Sequence, residues 1–164
     1  MFEMKRLLAC LVVVSVAAIG AVVGEAAQGT QPDPFNGTWK LNAQKSKATT
    51  GVLPSTEILT ARVANGVMTS TLESTTTGQP ARKATYTARY NDSQWAEARG
   101  FDGFAQLKLV KITDRLHYWV MRRSDGQAAG LVMRRMAEDG KSFTAVALGL
   151  DGNIQSTREY EKQP

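Results

Sequence analysis

The chain has 164 residues, with 20 Lys and Arg against 15 Asp and Glu, a net charge of +5 and a single cysteine. That length suffices for one domain and is short for two. With one cysteine and one histidine, the composition excludes a disulfide scaffold and a metal centre built on clustered Cys or His ligands.

Residues 1–27 have the three-part pattern of a secretory signal peptide. A short basic start with Lys5 and Arg6 precedes a long run rich in Val, Ala and Leu, and small residues near Ala26 offer a cleavage site. The alternative is a membrane anchor, because the apolar run is near the shortest length that spans a bilayer. We predict cleavage, a secreted or periplasmic location, and no stable membrane insertion of the mature chain.

The predicted domain organisation is a signal peptide at residues 1–27, a linker at residues 28–34 and one folded domain at residues 35–164. Pro32 and Pro34 break any helix in the linker. The cysteine, Cys10, lies in the leader, so the mature chain has no thiol for a disulfide. The charges of the leader cancel, and the folded domain therefore keeps the net charge of +5.

The folded domain opens with the segment FNGTWKL at residues 35–41. In a strand, Gly37, Trp39 and Leu41 point to the same side. The glycine permits close approach of a neighbouring strand, and the indole can cover one end of whatever the strand encloses. We therefore predict that Gly37 and Trp39 have a structural role in closing the fold.

The rest of the chain is typical of short strands joined by tight turns. Asn65-Gly66 and the Asp-Gly pairs suit two-residue hairpin loops, in which both turn residues need positive φ. No segment has a convincing helical period. We predict an all-β antiparallel up-and-down barrel of about eight to ten strands, since closure removes exposed edges. After the first strand, the predicted strands are residues 55–64, 67–75, 83–90, 95–99, 104–112, 116–123, 128–136, 142–150 and 153–162.

Two-residue Asp-Gly loops fix the pairing of the last strands. Residue 119 should face 132, 134 should face 145, 136 should face 143, 145 should face 158, and 143 should face 160. Polar residues occupy every second position from Gln155 to Glu161, so Arg158 and Tyr160 must point inward. The same inner face is predicted to contain His117, Trp119, Met121, Gly130, Val132, Arg134, Met136, Phe143, Ala145, Ala147, Ile154 and Ser156.

The outer face of these strands is unusually apolar if part of the register is inverted. A one-residue bulge would produce such an inversion. An exposed apolar stripe marks an interaction surface, so a homodimer remains an open alternative.

Both ends of the folded domain resemble one superfamily. The opening FNGTWKL segment resembles the Gly-x-Trp strand that opens the calycins, which include lipocalins and fatty-acid-binding proteins. The closing strand, with Arg158 and Tyr160, resembles the Arg-x-Tyr strand that closes fatty-acid-binding proteins. The mature chain is also similar to small exported bacterial lipocalin-like proteins of unassigned function. Residues 43–54 stand where fatty-acid-binding proteins have a helical lid, but they are too short and aperiodic for one, which favours a lidless, lipocalin-like barrel.

The resemblance implies that Arg158 and Tyr160 bind a carboxylate, since guanidinium and phenol both donate hydrogen bonds. A charged arginine inside the barrel needs a partner, and the inner face of the last strands carries no acid. A ligand carboxylate would supply the missing charge. The alternative is that Arg158 stacks on Trp39 and closes the barrel, as an arginine does against the Gly-x-Trp tryptophan of lipocalins.

Arg134 is predicted to lie near Arg158, across Ala145. Two inward arginines favour an acidic ligand, whereas in a slipped register Arg134 would be a solvated rim residue. The apolar wall of the site is predicted to consist of Trp119, Met121 and Phe143. We predict a protein that binds a small apolar molecule with an acidic group inside the barrel, without catalysis and without a cofactor.

Two other functions compete with this prediction. One is a filled barrel that acts as a protein-interaction or structural module of the cell envelope, and the other is an enzyme in the barrel mouth. Catalysis or a metal site would need companions for His117 that the sequence lacks. Basic residues are scattered rather than clustered, so we predict no nucleic-acid binding. Cavity volume separates binder from filled barrel, because a binder needs roughly 300 Å³ or more.

Overall fold

The computed structural model describes residues 32–164, which form ten strands in one closed antiparallel barrel. Each strand pairs with its neighbours in sequence, and β1 pairs with β10 to close the ring. The all-β meander barrel predicted from the sequence is therefore confirmed. The strands are β1 (Gly37–Ala48), β2 (Thr56–Ala64), β3 (Val67–Thr75), β4 (Arg82–Arg89), β5 (Ala96–Arg99), β6 (Gln106–Thr113), β7 (Leu116–Arg122), β8 (Ala128–Met136), β9 (Ser142–Leu148) and β10 (Ile154–Lys162).

The signal peptide predicted at residues 1–27 lies outside the described residues, as does the first part of the linker. Within residues 32–164 no helix is long and apolar enough to cross a membrane. The strand β1 extends to Ala48, beyond the predicted end of the first strand. A bulge between Asn42 and Lys47 allows this, because Ser46 Oγ donates to the Asn42 carbonyl at 2.7 Å and accepts from the Glu159 amide at 2.9 Å.

The predicted register of the last four strands is confirmed at every pair that was specified. The observed partners are Trp119 and Val132, Arg134 and Ala145, Met136 and Phe143, Ala145 and Arg158, and Phe143 and Tyr160. The inward assignment of Ile154 is wrong, because the ladder shifts between Ile154 and Ser156 and leaves Ile154 51% exposed.

The outer face of β7 to β9 carries a partly exposed apolar stripe even though the register is the predicted one. Such a stripe would suit a homodimer contact, and the homodimer stays a prediction. The stripe consists of Tyr118, Val120, Leu131, Met133, Val146 and Leu148.

Trp39 is a core residue near the start of β1, and its part in closing the barrel stays a prediction. It is fully buried, its Nε1 donates to the Phe35 carbonyl at 3.0 Å, and its ring meets Phe143 edge to face at 5.0 Å between centroids. The cation over its ring is Lys162, with Nζ 5.2 Å from the centroid, because Lys162 is the β10 residue that pairs with Trp39. The alternative in which Arg158 stacks on Trp39 is therefore wrong.

Gly37 lies where the chain runs close to the last strand. Its φ is +136°, and a Cβ there would lie 2.9 Å from Cε of Lys162. The backbone conformation therefore favours glycine at the start of β1, whereas the close contact is with a flexible lysine side chain that can move.

We expect Trp39→Ala to lower the free energy of unfolding by about 3 kcal/mol or more, as is typical for deletion of a buried aromatic. Trp95→Ala is the matched control, because this partly buried indole lies against Lys108 and Arg122 rather than in the core. Its loss should be about 1 kcal/mol. Urea melts measure both, and a loss under about 1 kcal/mol for Trp39→Ala would contradict its closing role.

Candidate functional site

The barrel contains a cavity of about 630 Å³ that reaches the loops at one end. Val52 in the β1–β2 loop and Gly103 in the β5–β6 loop line this mouth. The volume exceeds the roughly 300 Å³ that a small-molecule site needs, so the barrel is not filled solid. All six predicted ligand-binding residues line the cavity, and their part in binding stays a prediction. They are Trp119, Met121, Arg134, Phe143, Arg158 and Tyr160.

Arg158 and Tyr160 already have a carboxylate partner within the chain. Glu57 on β2 is 2% exposed, and Arg158 Nη1 donates to its two carboxylate oxygens at 2.9 and 3.0 Å. The Tyr160 hydroxyl also donates to Glu57 Oε1. The expectation that a ligand must supply the missing charge is therefore wrong, because the acid comes from β2, on the other side of β1, rather than from the last strands.

The charges of Glu57 and Arg158 balance each other, and the Tyr160 phenol acts as a hydrogen-bond donor in this cluster. Burial, together with the neighbouring Glu57 carboxylate, raises the pKa of Tyr160. The hydroxyl therefore keeps its proton and its hydrogen bond to Glu57. The Arg158 side chain is 32% exposed, whereas that of Glu57 is 3% exposed, so the arginine is the member of the pair that solvent in the cavity reaches.

Of the two inward-facing arginines, Arg134 is the one that has no carboxylate partner among residues 32–164. It is 1% exposed, and its Cζ lies 4.9 Å from the Phe35 ring, 5.1 Å from Trp119 and 4.7 Å from Phe143. Within residues 32–164 it has no salt bridge, and its Nη2 has no hydrogen-bond partner. The solvated-rim alternative is wrong, since the register and the burial both place Arg134 inside. Aromatic faces stabilise a cation by about 0.5–2 kcal/mol but accept none of its conventional hydrogen bonds.

Further buried donors around Arg134 lack acceptors. Trp119 Nε1 and Ser70 Oγ have no partner among the described residues. Trp119 itself is held by the edge-to-face contact of its ring with Tyr86, at 5.1 Å between centroids. Buried donors without acceptors are costly and usually mark the position of water or a ligand. Of these groups, Trp119 and Arg134 line the cavity and Ser70 does not, so the cavity wall there favours an acceptor oxygen.

His117 belongs to the closed end of the barrel. Its Nδ1 lies 3.2 Å from the Tyr90 hydroxyl, and its ring centroid is 4.2 Å from that of Phe35. Burial, reinforced by the charge of Arg134, lowers the pKa of His117 to about 3, so the ring is neutral at neutral pH. No group of three or more potential metal ligands occurs in residues 32–164. His117 is therefore a buried side chain that packs against Phe35 and Tyr90.

Glu57 is the site residue that the sequence analysis missed. In β2, Leu59 and Ala61 are buried while Thr60 and Arg62 are exposed, and Glu57 has the same parity as the buried pair. This alternation was a usable signal.

The closed barrel with its one-ended cavity defines a lipocalin/calycin-like fold. No family model matches the chain, and no curated protein matches it. Among the solved structures that do match is the crystal structure of a mutant of the fluorescent protein UnaG. The match covers 80% of this chain and 98% of that chain, with a TM-score of 0.54 and 14% sequence identity. At that identity the likeness shows the fold alone.

The Arg158–Glu57 pair leads to a stability prediction for the ligand-free protein. Arg158→Gln should lower the free energy of unfolding by about 2 kcal/mol, because Glu57 is left buried without its cation. This value is set below that of a fully buried pair because Arg158 is partly exposed. The double variant with Glu57→Gln should lose less than the sum of the single variants, by about 1 kcal/mol or more.

Urea melts of the two single variants and the double variant complete this thermodynamic cycle. Arg99→Gln is the control, because Arg99 forms an exposed pair with Glu97 and should change stability very little. Strictly additive losses at Arg158 and Glu57 would show that the two side chains do not stabilise each other.

Proposed function

We propose that the protein binds a small apolar molecule carrying an acidic group inside the barrel, and that it sequesters or carries this molecule without chemical change. The observation that supports this most directly is the buried Arg134 guanidinium, which faces a cavity of about 630 Å³ without a carboxylate partner among residues 32–164. A buried cation in that state favours an anion from outside the chain.

The cavity wall supports an apolar body for the ligand. Trp119, Met121 and Phe143 are buried and line the cavity together with Arg134. Phe101 and Phe104 from the β5–β6 loop stack on each other at 4.7 Å between centroids and line it nearer the mouth. Ligand sites are typically apolar with a few polar groups that fix orientation. The acid would thus be bound at depth and the apolar body along the wall.

The same proposal includes a secreted or periplasmic location. The basis is the tripartite pattern of residues 1–27, which lies outside the described residues. N-terminal sequencing of the protein isolated from its source cells measures the outcome. We expect a start near residue 28, and an intact Met1 in the soluble fraction would contradict export.

Calorimetric titration with decanoate and with decanol, its neutral analogue of equal chain length, tests the binding proposal. Wild type should bind decanoate more tightly than decanol, because only the acid pairs with Arg134. Arg134→Gln should weaken decanoate binding by about 10- to 100-fold, the equivalent of one charge-assisted hydrogen bond. Decanol binding should change far less, since the apolar wall is intact.

Arg135→Gln is the matched control for charge. Arg135 is the next residue on β8, is exposed and points away from the cavity, so its loss removes one positive charge without altering the site. Its decanoate affinity should equal that of wild type. Equal losses in both variants would mean that general electrostatic attraction, and not Arg134, holds the acid.

The enzyme and the filled-barrel module remain as weaker functions. The described cavity residues include no histidine or cysteine to act as a base or nucleophile, and the cavity volume speaks against a solid core. The partly exposed apolar stripe on β7 to β9 favours some outer contact, including a homodimer, in addition to ligand binding rather than instead of it.

A further inference from the structure

A second charged cluster lines the same cavity and is not used by the acid bound at Arg134. We infer that Glu57 is a specificity-determining residue that limits the ligand to one acidic group, by occupying Arg158 and Tyr160. This inference rests on the proposed function and adds to it the class of ligand: an apolar monoacid whose second polar group, if it has one, is a neutral oxygen.

The two arginines are close enough to be reached by one ligand. The register aligns Arg134, Ala145 and Arg158 in a row across β8, β9 and β10. With neighbouring strands about 4.8 Å apart, the Cα atoms of the arginines are roughly 10 Å apart. The residue between them is an alanine, whose methyl group leaves the space above the row open. Without Glu57, this row would therefore form a site for a diacid.

Glu57 makes the second arginine unsuitable for an acid. Its carboxylate accepts hydrogen bonds from Arg158 and from the Tyr160 hydroxyl, so the charge of Arg158 is already balanced. A second ligand carboxylate would lie beside the Glu57 carboxylate, whose side chain is only 3% exposed and therefore poorly screened by solvent. Like charges in one buried site are disfavoured, which is a common way of rejecting a wrong ligand.

A neutral oxygen is acceptable at this position. The Arg158 side chain lines the cavity and is 32% exposed, so a ligand can reach part of its guanidinium. A hydroxyl or carbonyl oxygen can accept from it without bringing a negative charge close to Glu57. The cluster should therefore discriminate by charge rather than by polarity.

Three probes of equal chain length separate these properties in the wild-type protein: decanoate, decanedioate and ω-hydroxydecanoate. Calorimetry at neutral pH should find that decanedioate binds at least about tenfold more weakly than decanoate. The hydroxy acid should bind as tightly as decanoate or more tightly. Equal binding of the diacid, or exclusion of the hydroxy acid to the same extent as the diacid, would overturn the inference.

The variant Glu57→Gln should reverse the order. It keeps the shape of the side chain and frees Arg158, so decanedioate affinity should rise about tenfold or more while decanoate affinity changes less. Glu73→Gln is the control, because Glu73 is an exposed residue paired with Lys83 and its loss changes the net charge equally. An unchanged diacid affinity in folded Glu57→Gln would also overturn the inference. The wild-type comparison needs no variant and is decisive even if Glu57→Gln does not fold.

The outcomes distinguish this inference from the proposed function. If decanoate binds wild type and the diacid binds equally well, the proposed function stands and the role of Glu57 is wrong. If decanoate does not bind wild type but decanedioate binds Glu57→Gln, the role of Glu57 stands and the proposed function is wrong. Absence of binding by all probes to both proteins rejects both.

Discussion

The ladder between β1 and β10 is the constraint on which the barrel depends. It joins the two ends of the folded domain and pairs Trp39 with Lys162 and Leu41 with Tyr160. Without it the meander would have two open edges, and the inner faces of the terminal strands would stay in water. Closure also brings β2 near β10, so that Glu57 reaches Arg158. The ladder therefore both encloses the cavity and completes its neutral charge pair.

The barrel accommodates its two inward-facing arginines in different ways. Arg158 is balanced by a carboxylate and a phenol, in a geometry that leaves little net charge. Arg134 is surrounded by three aromatic rings, which offer their negative faces but no acceptor atom. The positive potential in the cavity is consequently concentrated at Arg134. In the proposed function, discrimination between ligands would follow from this asymmetry more than from the total charge of the chain.

Much of the fold was predictable because local turn chemistry fixes strand pairing. The Asp-Gly loops gave the partners of Phe143, Ala145 and Tyr160 correctly, and polar alternation in β10 gave the inner face. The lengths of the Asp-Gly loops do not reveal a bulge within a strand, so the inward assignment of Ile154 was wrong. They also carry no information about strands that meet only on closure, and the Glu57 partner of Arg158 was missed for that reason. The six predicted ligand-binding residues, all of which line the cavity, were found by parity, whereas their hydrogen-bond partners required the three-dimensional structure.

The position of the cavity mouth bears on the order in which the two ends of a ligand would enter and leave. The mouth lies among the loops near Val52 and Gly103, while Arg134 is a buried residue of the cavity wall. A molecule that passes this mouth and pairs its acid with Arg134 would enter with the acidic group first and leave with the apolar end first. Its charged end would thus be the last part to regain water, which slows release without any lid, and the exposed tail would be the part that a recipient contacts.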